Sequence, residues 1–267
     1  TPDDAVRDRI LRALVGAGYT ASGAMVERVH DQARAEMGLA AWTLAAREDV
    51  GYEAATALLQ EALQSDERRI RERLFWLLSF IEDRQTILRA RDAYHSSDAA
   101  QRAFALEVLD TRLPRDLKDS MAVLDYSHAG HSLKQLAARH PQARLSRDDR
   151  LVEIISGSAH SASPWLRACA MYTAVQIAAT PCAAAIGAAQ AAPDPIVAET
   201  ALWALPRLTQ DTQEGPGMRS TLEKVIILKG TSLFSGTPDE VLAAVAGQMR
   251  DVTAAAPAFF FQARRPR

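Results

Sequence analysis

The sequence predicts an all-α protein assembled from stacked helical hairpins, and three observations carry that expectation. Hydrophobic residues make up 48% of the 267 positions but aromatics only 6%, with alanine and leucine dominant. Small apolar side chains of that kind suit helices packed closely on helices, whereas a β-sandwich draws on more β-branched and aromatic residues. No segment sustains period-two alternation, so almost no strand is expected before the C-terminus. Finally, the chain repeats itself.

Four segments align, opening at Asp66, Asp98, Ser163 and Asp194. Each opens with a residue whose side-chain oxygen can accept from the orphan N–H groups of a first helical turn. Pro164 and Pro195 follow at once in two of them, where a missing N–H costs nothing. Aligned on Arg71, Arg102, Arg167 and Ala198, the copies are 31, 65 and 31 residues apart, so one divergent unit is expected between roughly 114 and 160. A period in the low thirties is that of one helix-turn-helix unit of a HEAT-like, armadillo-type α-solenoid. From Asp98, Ala105, Leu106, Leu109 and Leu113 form one apolar stripe, widened by Phe104 and Val108. From Ser163 the helix is apolar almost all round, broken only by Arg167, Thr173 and Gln176, and must be covered on more than one side.

The remaining helices are expected at 2–16, 23–47 and 52–64, then from Asp83 through Ile87 to Arg91. Further helices near 115–125, 131–139 and 147–156 fill the divergent unit, and Thr180-Pro181 starts a short alanine-rich one. The solenoid spans 1–212. A linker at 213–219 contains Gln213-Glu-Gly-Pro-Gly217, a proline between two glycines that breaks the pattern. In the segment 220–267, Thr237, Pro238 and Glu240 form a capping-box signature ahead of an amphipathic helix with Leu242, Val245, Ala246 and Met249.

Leu228, Lys229, Leu233, Phe234, Pro238, Asp239 and Glu240 resemble the opening helices of a cyclic nucleotide-binding domain. In that family the ligand sits in a β-roll with a glycine-rich phosphate-binding cassette, which does not follow here. The resemblance therefore assigns no nucleotide-binding residue, and a cyclic nucleotide is expected only if a parent protein supplies the β-roll. Arg73 to Asp83, Ile87 and the stretch from Arg102 to Pro114 look like the HEAT region of bacterial ATP/ADP translocase-like transporters of major-facilitator type. Some of these carry a membrane domain, then HEAT repeats, then a cyclic nucleotide-binding domain. The resemblance implies a cytoplasmic module tethered through its parent to the inner face of the membrane. Thr1 in place of methionine agrees with a piece of a longer protein.

The net charge of −2, with both signs scattered, argues against a nucleic-acid partner. No run approaches the ~18 apolar residues of a membrane span. Cys169 and Cys182 lie in apolar surroundings without metal-ligand spacing and read as small core residues in a reducing cytosol. His128 and His131 beside Asp125 form a His-x-x-His pair with no third or fourth ligand nominated, so they are expected in a solvated loop, and His140 and His160 face solvent. Arg68, Arg69, Arg71 and Arg73, diluted by Asp66, Glu67 and Glu72, read as a solvated face with phosphate or anionic lipid as the functional alternative. Trp76, Trp165 and Trp203 fall in aligned repeats and, with Trp42, are expected in the core.

No Gly-x-Gly-x-x-Gly, P-loop, His-Glu-x-x-His or Gly-x-Ser-x-Gly motif is present. The expectation is a non-enzymatic scaffold or regulatory module without cofactor or metal. Its partner is another protein or the membrane domain of its own parent. The candidate binding residues are Arg102, Glu107 and Asp110, a polar strip on the concave wall, with inter-repeat ion pairs as the structural alternative. A free-standing HEAT adaptor is the second functional reading. A HEAT-type enzyme, either a DNA glycosylase or a bilin lyase, is the third.

Overall fold

Caps and breakers decide where the helices of this chain begin and end. The computed structural model describes residues 4–96, 98–113, 140–157, 162–209, 220–234, 236–237 and 239–249. Eleven α-helices and no strand occur among them: α1 Asp4–Gly16, α2 Ala24–Val50, α3 Ala57–Ile81, α4 Arg84–Tyr94, α5 Ala99–Arg112, α6 Arg147–Ser156, α7 Pro164–Gln176, α8 Ala183–Ala189, α9 Pro195–Thr209, α10 Thr221–Lys229 and α11 Asp239–Ala246. Asp98 accepts from Ala100 N at 2.9 Å and Ser163 from Leu166 N at 3.1 Å, the capping roles their positions predict. Asp194 accepts from Ile196 N at 3.0 Å ahead of Pro195. Ser220 and Glu223 close a reciprocal capping box at the start of α10. Gly51 ends α2 with φ +79°, and a Cβ there would stand 3.0 Å from the Arg147 guanidinium. The positive φ is what favours glycine here, and the arginine tip would have to give a little to admit a side chain.

The Asp66 segment is a correction. Asp66 starts no helix, because α3 runs without interruption from Ala57 to Ile81. Its sequence contains neither glycine nor proline, so Ser65-Asp66 offers a cap where the chain has no reason to stop.

Length gives α2 and α3 a particular role. The N-terminal part of α3 buries Leu59, Ala62 and Leu63 in one apolar cluster with α6 to α11. Its C-terminal part buries Ile70, Leu74, Phe75, Leu78 and Phe80 in a second cluster with α1, α4 and α5. Helix α2 divides in the same way, with Ala33, Met37 and Ala40 in the second cluster and Ala46 and Val50 in the first. One long hairpin therefore belongs to two cores. On its first side, α2 packs on α6 and α6 on α8, while α3 packs on α7 and α7 on α9, giving two layers of helices. On the other side α4 packs on α3 and α5 on α4.

Helix α7 confirms the expectation drawn from its apolar circumference, since α3, α6, α9 and α11 all cover it and even Thr173 is fully buried. In α5 the stripe Ala105, Leu109 and Leu113 is buried, but Phe104 stays 64% exposed. Leu222 and Val225 of α10, with Leu242 and Ala246 of α11, enter the first core. Val245 and Met249 do not follow their expected stripe and remain exposed. The 213–219 linker, Pro238 and residues beyond 249 lie outside the described residues. Among the described residues no helix is long and apolar enough to cross a membrane.

In the arginine-rich stretch of α3 the expected solvated face holds for Arg68, which is exposed, but fails for Arg71 and Arg73. Arg71 and Arg73 are only 4% and 3% exposed. Arg73 donates to Glu36 of α2 at 2.8 Å and to Asp8 of α1 at 3.2 Å. Arg71 donates to the Tyr94 hydroxyl of α4 at 2.9 Å, and Glu67 pairs with Arg47 of α2 at 2.8 Å. These charges form a belt where the two cores meet, tying α1, α2 and α4 to α3. Buried pairs of this kind add little net stability, because desolvation offsets attraction, but losing one partner is costly.

A candidate binding groove

Helix starts and an indole shape one cavity of the structure. The N-terminal turns of α7 and α9 bring Ser163, Pro164, Asp194 and Pro195 side by side. Trp165 lies beneath, and the last turn of α11 with Gly247 and Gln248 closes the far wall around about 530 Å³. Both helix starts are already capped by their own side chains. Glu199 is committed as well, accepting from Thr221 N at 2.6 Å and from the Thr221 hydroxyl at 2.7 Å.

A second cavity of about 390 Å³ lies between α1, α3 and α11 and shares Arg69 and Trp165 with the first. Asp239 and Val241 of α11 line it, so α11 is a common wall of the two. Asp239 fixes that wall, since it accepts from Trp165 Nε1 at 3.1 Å and pairs with Lys229 Nζ at 2.6 Å. Lys229 also pairs with Glu61 of α3. Burial alone would lower the Lys229 pKa, but hydrogen bonds to Asp239 and Glu61 outweigh it and hold the pKa above its ordinary value. The two cavities adjoin at Arg69 and Trp165, and the groove they make up together draws its lining from α1, α3, α7, α9, α10 and α11.

The expected strip of Arg102, Glu107 and Asp110 stands elsewhere, on α5. Arg102 donates to the Ser96 carbonyl at 2.7 Å, bracing the turn between α4 and α5. Glu107 and Asp110 are exposed on the same helix, and none of the three lines the two cavities. His128, His131, Asp125 and His160 lie outside the described residues. His140, expected in solvent, is half-buried beside Gly38 of α2. Among the described residues no group of three His, Cys, Asp or Glu side chains is placed to hold a metal.

Trp42, Trp76 and Trp165 are 4–5% exposed, as core residues should be. Trp203 is half-buried, stacked on Tyr172 at 5.5 Å with Arg207 over its ring at 4.7 Å. Burial pushes the Cys169 thiol well up and raises that of Cys182 to about 11, leaving both as unreactive core groups. Arg12 and Glu199, which line the cavities, carry no local motif, and the cyclic nucleotide-binding-like stretch that holds Lys229 and Asp239 does not announce their pairing. Lys229 and Asp239 stand ten residues apart and meet only because α10 folds back on α11. No family model matches the chain, and neither does any curated protein or solved structure.

Proposed function

We propose that this chain is a non-catalytic helical binding module of HEAT, armadillo-type character, and that the groove flanked by Trp165 and Asp239 is its binding face. The observation supporting this reading is the groove itself: six helices contribute to two adjoining cavities, and the polar groups at the helix starts are committed to structural bonds. Such a face recognises shape and side chains and offers no activated nucleophile or base. In the fuller form of the proposal the module is the cytoplasmic regulatory part of an ATP/ADP translocase-like membrane protein. Its partner is then that parent's membrane domain or another protein. The coding sequence on both sides of the chain tests this form, and absence of hydrophobic spans upstream of Thr1 removes it in favour of a free-standing adaptor.

The binding role has its own test. A random twelve-residue peptide library is panned against the full chain and against Ala244→Trp, which places an indole in the larger cavity. Convergent peptides that lose binding to the variant support the groove, and no convergence refutes it. A glycosylase-like enzyme is disfavoured by the burial of Trp42, Trp76 and Trp165, whose rings have little free surface for stacking a base.

A further inference from the structure

The smaller cavity has an asymmetry that selects its ligand. Four carboxylates line it, and each is engaged by a side-chain nitrogen of the chain: Asp8 by Arg73, Asp66 by Arg69, Glu72 by the His95 ring and Asp239 by Lys229. Two guanidinium groups line the same cavity without a carboxylate partner among the described residues, Arg12 of α1 and Arg68 of α3. Both are exposed, hence open to a ligand. Arg12 lies over the Trp76 ring, 5.5 Å from its centroid. Stacking occupies the face of a guanidinium and leaves its N–H edge for an acceptor, an arrangement suited to a planar oxyanion. Val241, 51% exposed on the opposite wall, adds apolar surface for the stem of the incoming side chain.

From this we propose, building on the binding role of the groove, that the cavity between α1, α3 and α11 is a carboxylate site. Its ligand is an acidic segment of a partner protein, whose Asp or Glu side chain is gripped by Arg12 and Arg68. About 390 Å³ holds one or two side chains. The surrounding carboxylates and the net charge of −2 oppose an extended polyanion such as nucleic acid.

The test uses the full chain and the peptides recovered by panning. Asp and Glu are expected to be over-represented in them. By fluorescence anisotropy, Arg12→Glu and Arg68→Glu each weaken a labelled peptide by roughly tenfold or more, as loss of a charge-assisted bond requires. Arg89→Glu, an exposed arginine on α4, leaves affinity unchanged. Replacing the peptide's acids by amides reproduces the loss, and Arg12→Lys restores only part of it because the fork is absent. Peptides lost on Ala244→Trp but indifferent to Arg12→Glu and Arg68→Glu overturn the carboxylate site while leaving the groove standing. No convergent peptide overturns both. Phosphatidylserine vesicles that bind the chain through Arg12 and Arg68, with peptides failing to do so, overturn the acidic-segment ligand in favour of a lipid headgroup.

Discussion

Replacing Arg150 by leucine removes a side chain only 2% exposed that joins α6 to α2. Its guanidinium donates twice to one oxygen of Asp49, from Nε at 3.1 Å and Nη2 at 2.7 Å. It also donates to the Ala143 carbonyl at 3.0 Å and to Glu153, and stands 5.8 Å from the centroid of the Trp42 ring. Asp49, with a side chain 4% exposed, would keep only the Leu145 N–H at 3.2 Å. A buried carboxylate deprived of its cation costs about 3–5 kcal/mol. Asp49→Leu should cost about the same from the other side, somewhat less because Arg150 retains Glu153 and the Ala143 carbonyl. The double variant Asp49→Leu/Arg150→Leu removes both charges together and should recover at least about 2 kcal/mol relative to the sum of the singles. Urea unfolding followed by far-ultraviolet circular dichroism measures all three. Single losses below about 1 kcal/mol, or an additive double variant, would refute the claim that this pair is desolvated and coupled.

Four further outcomes follow from other positions. The buried Thr173 hydroxyl has no hydrogen-bond partner among the described residues, so Thr173→Val should raise stability by about 1 kcal/mol in the same assay. Ala178 is exposed with φ +53°, and Ala178→Gly should stabilise by about 0.5–1 kcal/mol through relief of the left-handed strain. With its thiol raised to about 11, Cys182 should resist iodoacetamide in the native chain through pH 9 and react only once urea unfolds it. The raised Lys229 pKa means that its contribution is complete below the ordinary lysine value of 10.5 and fades as pH rises through the higher folded value. Protection of α10 and α11 from hydrogen exchange, after correction for intrinsic rates, should therefore hold to that pH, whereas Lys229→Met should lower it already at pH 7.

The elements legible in the sequence are those whose cause is local. Asp98, Ser163 and Asp194 cap the helices their spacing assigns them, and the apolar circumference of α7 announces a helix covered on several sides. Charge was misleading wherever its partner is remote. By sequence Arg71 and Arg73 are expected on a solvated face, and only the folded chain brings Arg73 to Glu36 across 37 positions. The Ser65-Asp66 pair shows the same limit at the level of elements, because a capping residue starts a helix only where the preceding chain leaves one. The groove was legible only in part. Trp165 and the helix starts could be placed, but the meeting of Arg12, Arg68 and Trp76 depends on α1 packing on α3, which no periodicity encodes.

That one hairpin serves two cores has a consequence for how the molecule comes apart. Stacked repeats with only neighbour contacts can fray from one end, unit by unit. Here α2, at 27 residues and about 40 Å, and α3 beside it are needed by both halves. Melting either half strips the other of a wall, so the two should unfold in a single concerted step.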